Sequence, residues 1–188
     1  MKLLVIVGST RPGRVGPLVA DWFTAKAREH GGFDEVEVAD LAQIDLPMFD
    51  EPHHPMAGDY VHQHTRDWSA MVDSADAFVL VMPEYNYSFT APLKNALDYL
   101  NREWRDKPVA LVSYGGMSGG VRAQQAIKPV LLALRTWPIN DAVMIPMVRE
   151  YLEDGVLRPT PLIDSSADVV LDELVRASAA LQQLRVPA

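Results

Sequence analysis

Three short segments concentrate residue types able to hold a ligand, and each follows a bare apolar run. The first is Gly8-Ser9-Thr10-Arg11-Pro12-Gly13-Arg14-Val15-Gly16. Glycines and small hydroxyl residues at a strand-to-helix turn expose backbone N–H groups, and the helix N-terminus adds partial positive charge. Arg11 and Arg14 can add charge-assisted hydrogen bonds to a phosphate dianion. The spacing Gly8-x4-Gly13 matches the nucleoside-triphosphate loop, but Arg14 stands where that loop has lysine and Val15 where it has the magnesium-binding hydroxyl. The GxGxxG dinucleotide fingerprint is absent as well. The expectation is therefore a phosphate cradle without triphosphate chemistry, set against a tight turn with two solvated arginines.

The second segment runs from Pro83-Glu84-Tyr85-Asn86-Tyr87-Ser88-Phe89-Thr90 into a helix predicted to start near Pro92. Its aromatics and asparagine offer the edge donors and flat walls that a planar heteroaromatic ligand needs. Tyr85, Tyr87 and Phe89 could equally pack against neighbouring helices. In the third, Gly116-Met117-Ser118-Gly119-Gly120 satisfies the G-x-S-x-G nucleophile pattern. A serine hydrolase of that kind needs a histidine further along the chain, and all five histidines precede Ser118. The segment Ser113 to Gly120 reads instead as a loop where glycines allow close approach to a ligand. Among the histidines, His53 and His54 are adjacent in a proline-rich loop, and His62 and His64 fall on different faces of a predicted helix; surface histidines are expected rather than metal ligands.

These segments need a scaffold, and the hydrophobic pattern supplies one. Leu3–Val7, Ala77–Met82 and Val109–Val112 read as strands buried on both faces, with Val36–Ala39 and Ala142–Ile145 as weaker candidates. Helical periodicity covers 17–30, 59–74, 92–101, 121–135 and 167–184, and the segments 47–55 and 146–165 read as loops. Five β-α repeats predict a doubly wound α/β sheet with helices on both faces. Ligands of such sheets bind beyond the carboxyl ends of the strands, so the loops after strands one, three and four should meet.

Composition narrows the function classes. At 188 residues the chain is expected to form one domain, residues 1–188. A net charge of -8 argues against nucleic acid as a partner. The lack of cysteine removes thiol catalysis, disulfides and Cys-ligated metal centres. The longest apolar run, Ala77 to Met82, is far too short to span a membrane, and Leu3–Val7 is too short for a signal peptide; a cytoplasmic address is expected by default.

Together, Gly8–Arg14 (GSTRPGR), Pro83–Leu100 (PEYNYSFTAPLKNALDYL) and Lys107–Ala123 (KPVALVSYGGMSGGVRA) resemble the NADPH-dependent FMN reductase family, which includes flavin-dependent quinone, azo-compound and chromate reductases. The resemblance spans Lys2 to about Leu134. It implies a flavodoxin-like fold with strand order 2-1-3-4-5. It implies FMN phosphate contacts from Ser9, Thr10 and Arg11, with Arg14, Val15 and Gly16 standing where many members have serine and asparagine. Pro83, Glu84, Tyr85 and Asn86 match the segment lining the isoalloxazine edge, flanked by Tyr87 and Ser88, and Ser113, Gly115 and Gly116 match the segment on the ring's other side.

The activity implied is hydride transfer from NADPH or NADH, through FMN, to free FMN, quinones or similar small acceptors. The flavin N5 carries that chemistry, so no catalytic side chain is assigned. The resemblance also implies a homo-oligomer, dimer or tetramer. The alternative is an FMN-binding electron-transfer protein without its own NAD(P)H activity.

Overall fold

The computed structural model describes residues 1–185 of the chain. Its centre is a parallel sheet of β1 (Lys2–Val7), β2 (Glu35–Asp40), β3 (Ala77–Pro83), β4 (Pro108–Tyr114) and β5 (Trp137–Ile145). The order is β2-β1-β3-β4-β5, as expected. Register is set by direct pairing, Leu3 with Ala77 and Phe78 with Val109 among others. Every residue of β3 and β4 is buried, which explains why both are apolar as far as Ser113 near the end of β4.

Side-chain alternation along each strand feeds two cores. Leu3, Val5, Val7, Val79 and Val81 face one side, covered by α1 (Gly16–His30) and α6 (Pro161–Arg185). Leu4, Ile6, Phe78, Leu80 and Met82 face the other. There they meet α3 (Gln63–Asp73), α4 (Ala91–Asp98) and α5 (Val121–Ala133). The buried Trp68 and Trp104 satisfy their indole N–H groups on the carbonyls of Ala96 and Leu97. On the first side, Lys26 bridges to Asp164 and Asp168, clamping α1 against α6.

Several boundaries differ from the sequence expectation. The last helix begins at Pro161 rather than 167, with proline in the first turn where its missing N–H costs nothing. The preceding connection contains a small antiparallel pair, β6 (Leu152–Glu153) with β7 (Val156–Leu157). Strand β5 starts at Trp137, five residues before its apolar stretch, because an edge strand tolerates Pro138 and outward polar residues. A short α2 (Leu41–Ile44), capped by Asp40, follows β2. The third helix starts at Gln63 rather than 59, since Glu51 accepts from the N–H groups of Val61 and His62 and holds that stretch extended. His62 therefore lies outside the helix, and its ring stacks on His64 at 5.1 Å instead of facing away. Both histidines are engaged with Asp50. Helix α4 stops at Asp98 and α5 at Ala133, short of the expected 101 and 135.

Lys107, buried just before β4, donates to the last carbonyls of α3, Val72 at 3.0 Å and Asp73 at 2.9 Å. Burial pushes its ammonium down to about 8 from an ordinary 10.5, against the opposing pull of Asp73. Between those values the unfolded chain binds more protons than the native one, so this lysine adds stability as pH rises. Tyr114, pushed up by burial to about 12 from 10.0, acts in the opposite sense only above its ordinary value. Unfolding free energy should thus rise by about 1–2 kcal/mol between roughly pH 8 and 9.5 relative to Lys107→Met. Denaturant titrations of both proteins check this, and parallel pH profiles would refute it.

Candidate functional site

The carboxyl ends of the central strands converge on a cleft of about 320 Å³. Arg11, Arg14 and Val15 line it from the loop after β1. Pro83, Glu84 and Tyr85 enter from the end of β3, and Tyr114, Gly115 and Gly116 from the end of β4. A further wall, Met147 to Glu150, comes from the turn after β5. Sequence reasoning missed this wall. The strand-end rule that selects the other loops applies there equally, but the sequence marks β5 only weakly and its turn reads as the start of a long loop, 146–165.

The loops are tied to one another. Thr90, the N-cap of α4, donates its hydroxyl to the carbonyl of Gly8 and receives the N–H of Leu93. The N–H of Glu84 donates to Tyr114 at 3.0 Å, and that of Gly115 to Ile145 at 3.2 Å. The N–H of Met147 donates to Gly116 at 3.0 Å.

In the first loop, Ser9 is fully buried and its Oγ receives the Tyr114 hydroxyl at 3.1 Å. Gly16 lies against both: a Cβ there would sit 2.3 Å from Ser9 Oγ and 2.9 Å from Tyr114 Oη, so only glycine fits. Arg14 is committed locally. Its guanidinium is bidentate to Asp40 at 2.5 and 2.6 Å and also donates to the Ser9 carbonyl at 2.7 Å. Burial raises the Asp40 carboxyl, but Arg14 and the Ala42 N–H outweigh it and hold it below the usual carboxylate range. Arg11 is exposed and makes no ion pair among the described residues. The N-terminus of α1 has no side-chain cap and no acid in its first turn. Thr10 is exposed and lines a neighbouring hollow with Leu41 and Asn95 instead.

The second loop is a two-residue hairpin. Tyr85 and Ser88 exchange N–H···O bonds at 2.8 and 3.0 Å across Asn86 and Tyr87, which have φ of 48° and 70°. Asparagine tolerates that left-handed backbone; tyrosine does so rarely. The Tyr87 ring is 71% exposed, with the Arg122 guanidinium 4.2 Å above its centre. Phe89 packs on the core, so the aromatics divide between the two roles considered for them. Glu84 accepts from Ser118 Oγ at 2.9 Å, from the Arg122 N–H at 3.1 Å and from its guanidinium at 3.0 Å. Burial pushes this carboxyl up, and these donors together bring it below the ordinary value. Ser118 thus orients toward a carboxylate, in a strand–turn–helix setting without a histidine partner among the described residues. Ser113 is buried; its hydroxyl donates to Gly119 and receives Gln124 Nε2, both at 2.8 Å, which fixes the glycine loop from beneath.

The site can therefore bind an anion at one end, through Arg11 and the uncapped helix, and a flat group against Tyr85 and the glycine edge. Gly116 has nothing within 4 Å of a notional Cβ, so that edge is open to a ligand. This is the construction of an α/β protein that binds a phosphorylated, planar cofactor at its strand ends. Those features fit FMN.

Residues 1–150 match the family model described as NADPH-dependent FMN reductase. A Schizosaccharomyces pombe protein named NAD(P)H-dependent FMN reductase is 41% identical over 162 residues, covering 84% of this chain and 79% of that protein. The Saccharomyces cerevisiae protein of the same description is 35% identical, over 78% of this chain and 82% of its own. Among solved structures, the Paracoccus denitrificans flavoenzyme NAD(P)H:(acceptor) oxidoreductase FerB superposes with a TM-score of 0.76 at 22% identity, over 95% of this chain and 97% of that one, a likeness of fold. The chain belongs to the NADPH-dependent FMN reductase family. It is an oxidoreductase using FMN and NAD(P)H.

Because Gly16 abuts two buried hydroxyls, Gly16→Ala must displace the first loop. FMN affinity, read by flavin fluorescence quenching, should fall about tenfold or more while the far-ultraviolet circular dichroism spectrum is retained. Unchanged affinity would show that loop position and ligand binding are independent.

Proposed function

We propose that residues 1–188 form one FMN-binding domain that draws hydride from NADPH or NADH and delivers electrons to small acceptors such as free FMN or quinones. The observation that carries this reading is the unpaired Arg11 beside the uncapped N-terminus of α1, in the same cleft as the flat, glycine-edged slot. Relatives named quinone oxidoreductase and azoreductase support small-molecule acceptors. Bound FMN supplies hydride acceptance and onward electron delivery at its ring N5.

The chain's own residues then bind and orient. Arg11 is assigned to the phosphate together with the backbone of Ser9 and Thr10 beside it; the Ser9 hydroxyl, held by Tyr114, braces the loop, Arg14 and Gly16 shape it, and Val15 lines the cleft. Pro83, Glu84 and Tyr85, which line the cleft, and Asn86 next to them in the hairpin are assigned to one side of the ring, and Gly115 and Gly116 to the other. Tyr87, Ser88 and Ser113 position those segments. No side chain is assigned a proton-transfer step.

The reading includes a homo-oligomer. Next to the glycine loop lies a second hollow of about 460 Å³ carrying the exposed Met117, Met144 and Leu162, an apolar face suited to a second copy. No helix among the described residues is long and apolar enough to cross a membrane. The cytoplasm, where NAD(P)H is regenerated, is the proposed address.

Arg11 provides the test. A hydrogen bond to a charged group is worth about 1.5–3 kcal/mol, so Arg11→Ala should weaken FMN binding roughly 10- to 150-fold. Riboflavin, which lacks the phosphate, should bind almost as before, and Arg11→Lys should recover only part of the loss. The measurement is titration of both flavins, alongside NADPH and NADH oxidation with free FMN or a quinone as acceptor. Equal losses for the two flavins would remove Arg11 from the phosphate site, and no NAD(P)H oxidation would leave an electron carrier.

A further inference from the structure

The cleft carries one cation beyond those that its ion pairs and the flavin phosphate engage. Five ionisable groups line it besides its tyrosines: Arg11, Arg14, Glu84, Arg149 and Glu150. Arg14 is neutralised by Asp40, and Glu84 by Arg122. Neither Arg11 nor Arg149 forms an ion pair among the described residues, and Glu150, beside Arg149 in sequence, is not within salt-bridge distance of it. The flavin brings a single phosphate, which the proposed function gives to Arg11.

Arg149 is displayed on a wall held in place. The short 3-10 turn Val148–Tyr151 follows Met147, whose φ of 47° turns the chain sharply. Its backbone is fastened to the glycine edge by Met147 N–H on Gly116 and Val148 N–H on Gly115, and closed by Glu150 N–H on Met147 at 2.8 Å. Val148 is buried beneath, so the backbone that carries the exposed Arg149 is fixed on the cleft's far wall. In a chain of net charge -8, an unpaired arginine facing a ligand cleft favours an anionic ligand group.

The hydride donor carries such groups, a pyrophosphate in both nucleotides and a 2′-phosphate in NADPH alone. We infer that Arg149 binds a phosphate of the nicotinamide dinucleotide and so contributes to donor recognition. This rests on the proposed use of the cleft for FMN and the donor together. Arginine's planar fork suits either phosphate bidentately.

The test is calorimetric titration of the FMN-loaded protein with NADP+ and NAD+, paired with anaerobic flavin reduction by NADPH and NADH. Arg149→Ala should weaken nucleotide binding about tenfold, the lower part of the range for a charge-assisted bond because the group is exposed. Arg149→Lys should recover part of this, and added salt should shrink the difference. A loss confined to NADP+ assigns the 2′-phosphate, and an equal loss for both nucleotides assigns the pyrophosphate; either supports the inference. Unchanged binding of both nucleotides overturns it. So does a selective loss of FMN over riboflavin in Arg149→Ala, which would make this residue a flavin-phosphate ligand. A parent protein that binds nucleotides but shows no flavin reduction would count against the proposed function while leaving the Arg149 comparison readable.

Discussion

A strand buried on both faces takes a polar side chain only where its hydrogen bonds are all met, and this constraint organises the molecule. Strand β3 is apolar throughout and β4 is apolar up to Ser113 and Tyr114, so binding groups gather at the carboxyl ends of these strands and in the turns beyond them. Those turns are not independent arms. Bonds from Thr90 to Gly8, Glu84 to Tyr114, Gly115 to Ile145 and Met147 to Gly116 join them from one sheet position to the next. The cleft inherits the rigidity of the sheet because its rim continues the sheet's own hydrogen bonding.

The two arginines of the first loop show how structure resolves what residue type leaves open. Both can bind phosphate by chemistry, and both line the cleft. Asp40, at the end of the neighbouring strand β2, accepts from two guanidinium nitrogens of Arg14, while Arg14 also donates to the Ser9 carbonyl. The guanidinium thereby ties two strand ends together and shapes the loop around Ser9. Arg11, lacking such a partner, is the group whose charge remains to be balanced by a ligand.

The sequence made the inner strands and the loops after β1, β3 and β4 legible for the same reason: burial on both faces writes an unbroken apolar run, and the turns next to it stand out. Edge strand β5 was read short, since its outer residues meet solvent and Pro138 breaks the pattern. With that strand end unmarked, Met147 to Glu150 reads only as the start of the long loop 146–165. Stacking of His62 on His64 was illegible for a different reason. It depends on Glu51, remote from the helix in local pattern, fixing the N–H groups that would otherwise have extended α3. Ser113 and Ser9 stand out in the sequence by position, but the inward turn of their hydroxyls, which braces the loops, depends on tertiary partners, Gly119 and Tyr114, that no local pattern announces.

The pairing of charges also explains why the nucleophile pattern around Ser118 and the carboxylate of Glu84 do not amount to acid–base machinery. A general base near neutrality needs a raised carboxyl or a poised imidazole. Glu84 has the reverse environment: the guanidinium and backbone N–H of Arg122 and the Ser118 hydroxyl hold its carboxyl below the ordinary value, and both of its oxygens are engaged before any ligand arrives. The same interactions draw the hairpin and glycine loops together, with Arg122 reaching on to Tyr87 and its left-handed backbone. A carboxylate fixed in this way braces two walls of a slot and contributes little net field to it. What remains to act on a ligand is the pair of unpaired arginines with Glu150, a distribution suited to orienting phosphates around a cofactor that brings its own reactivity.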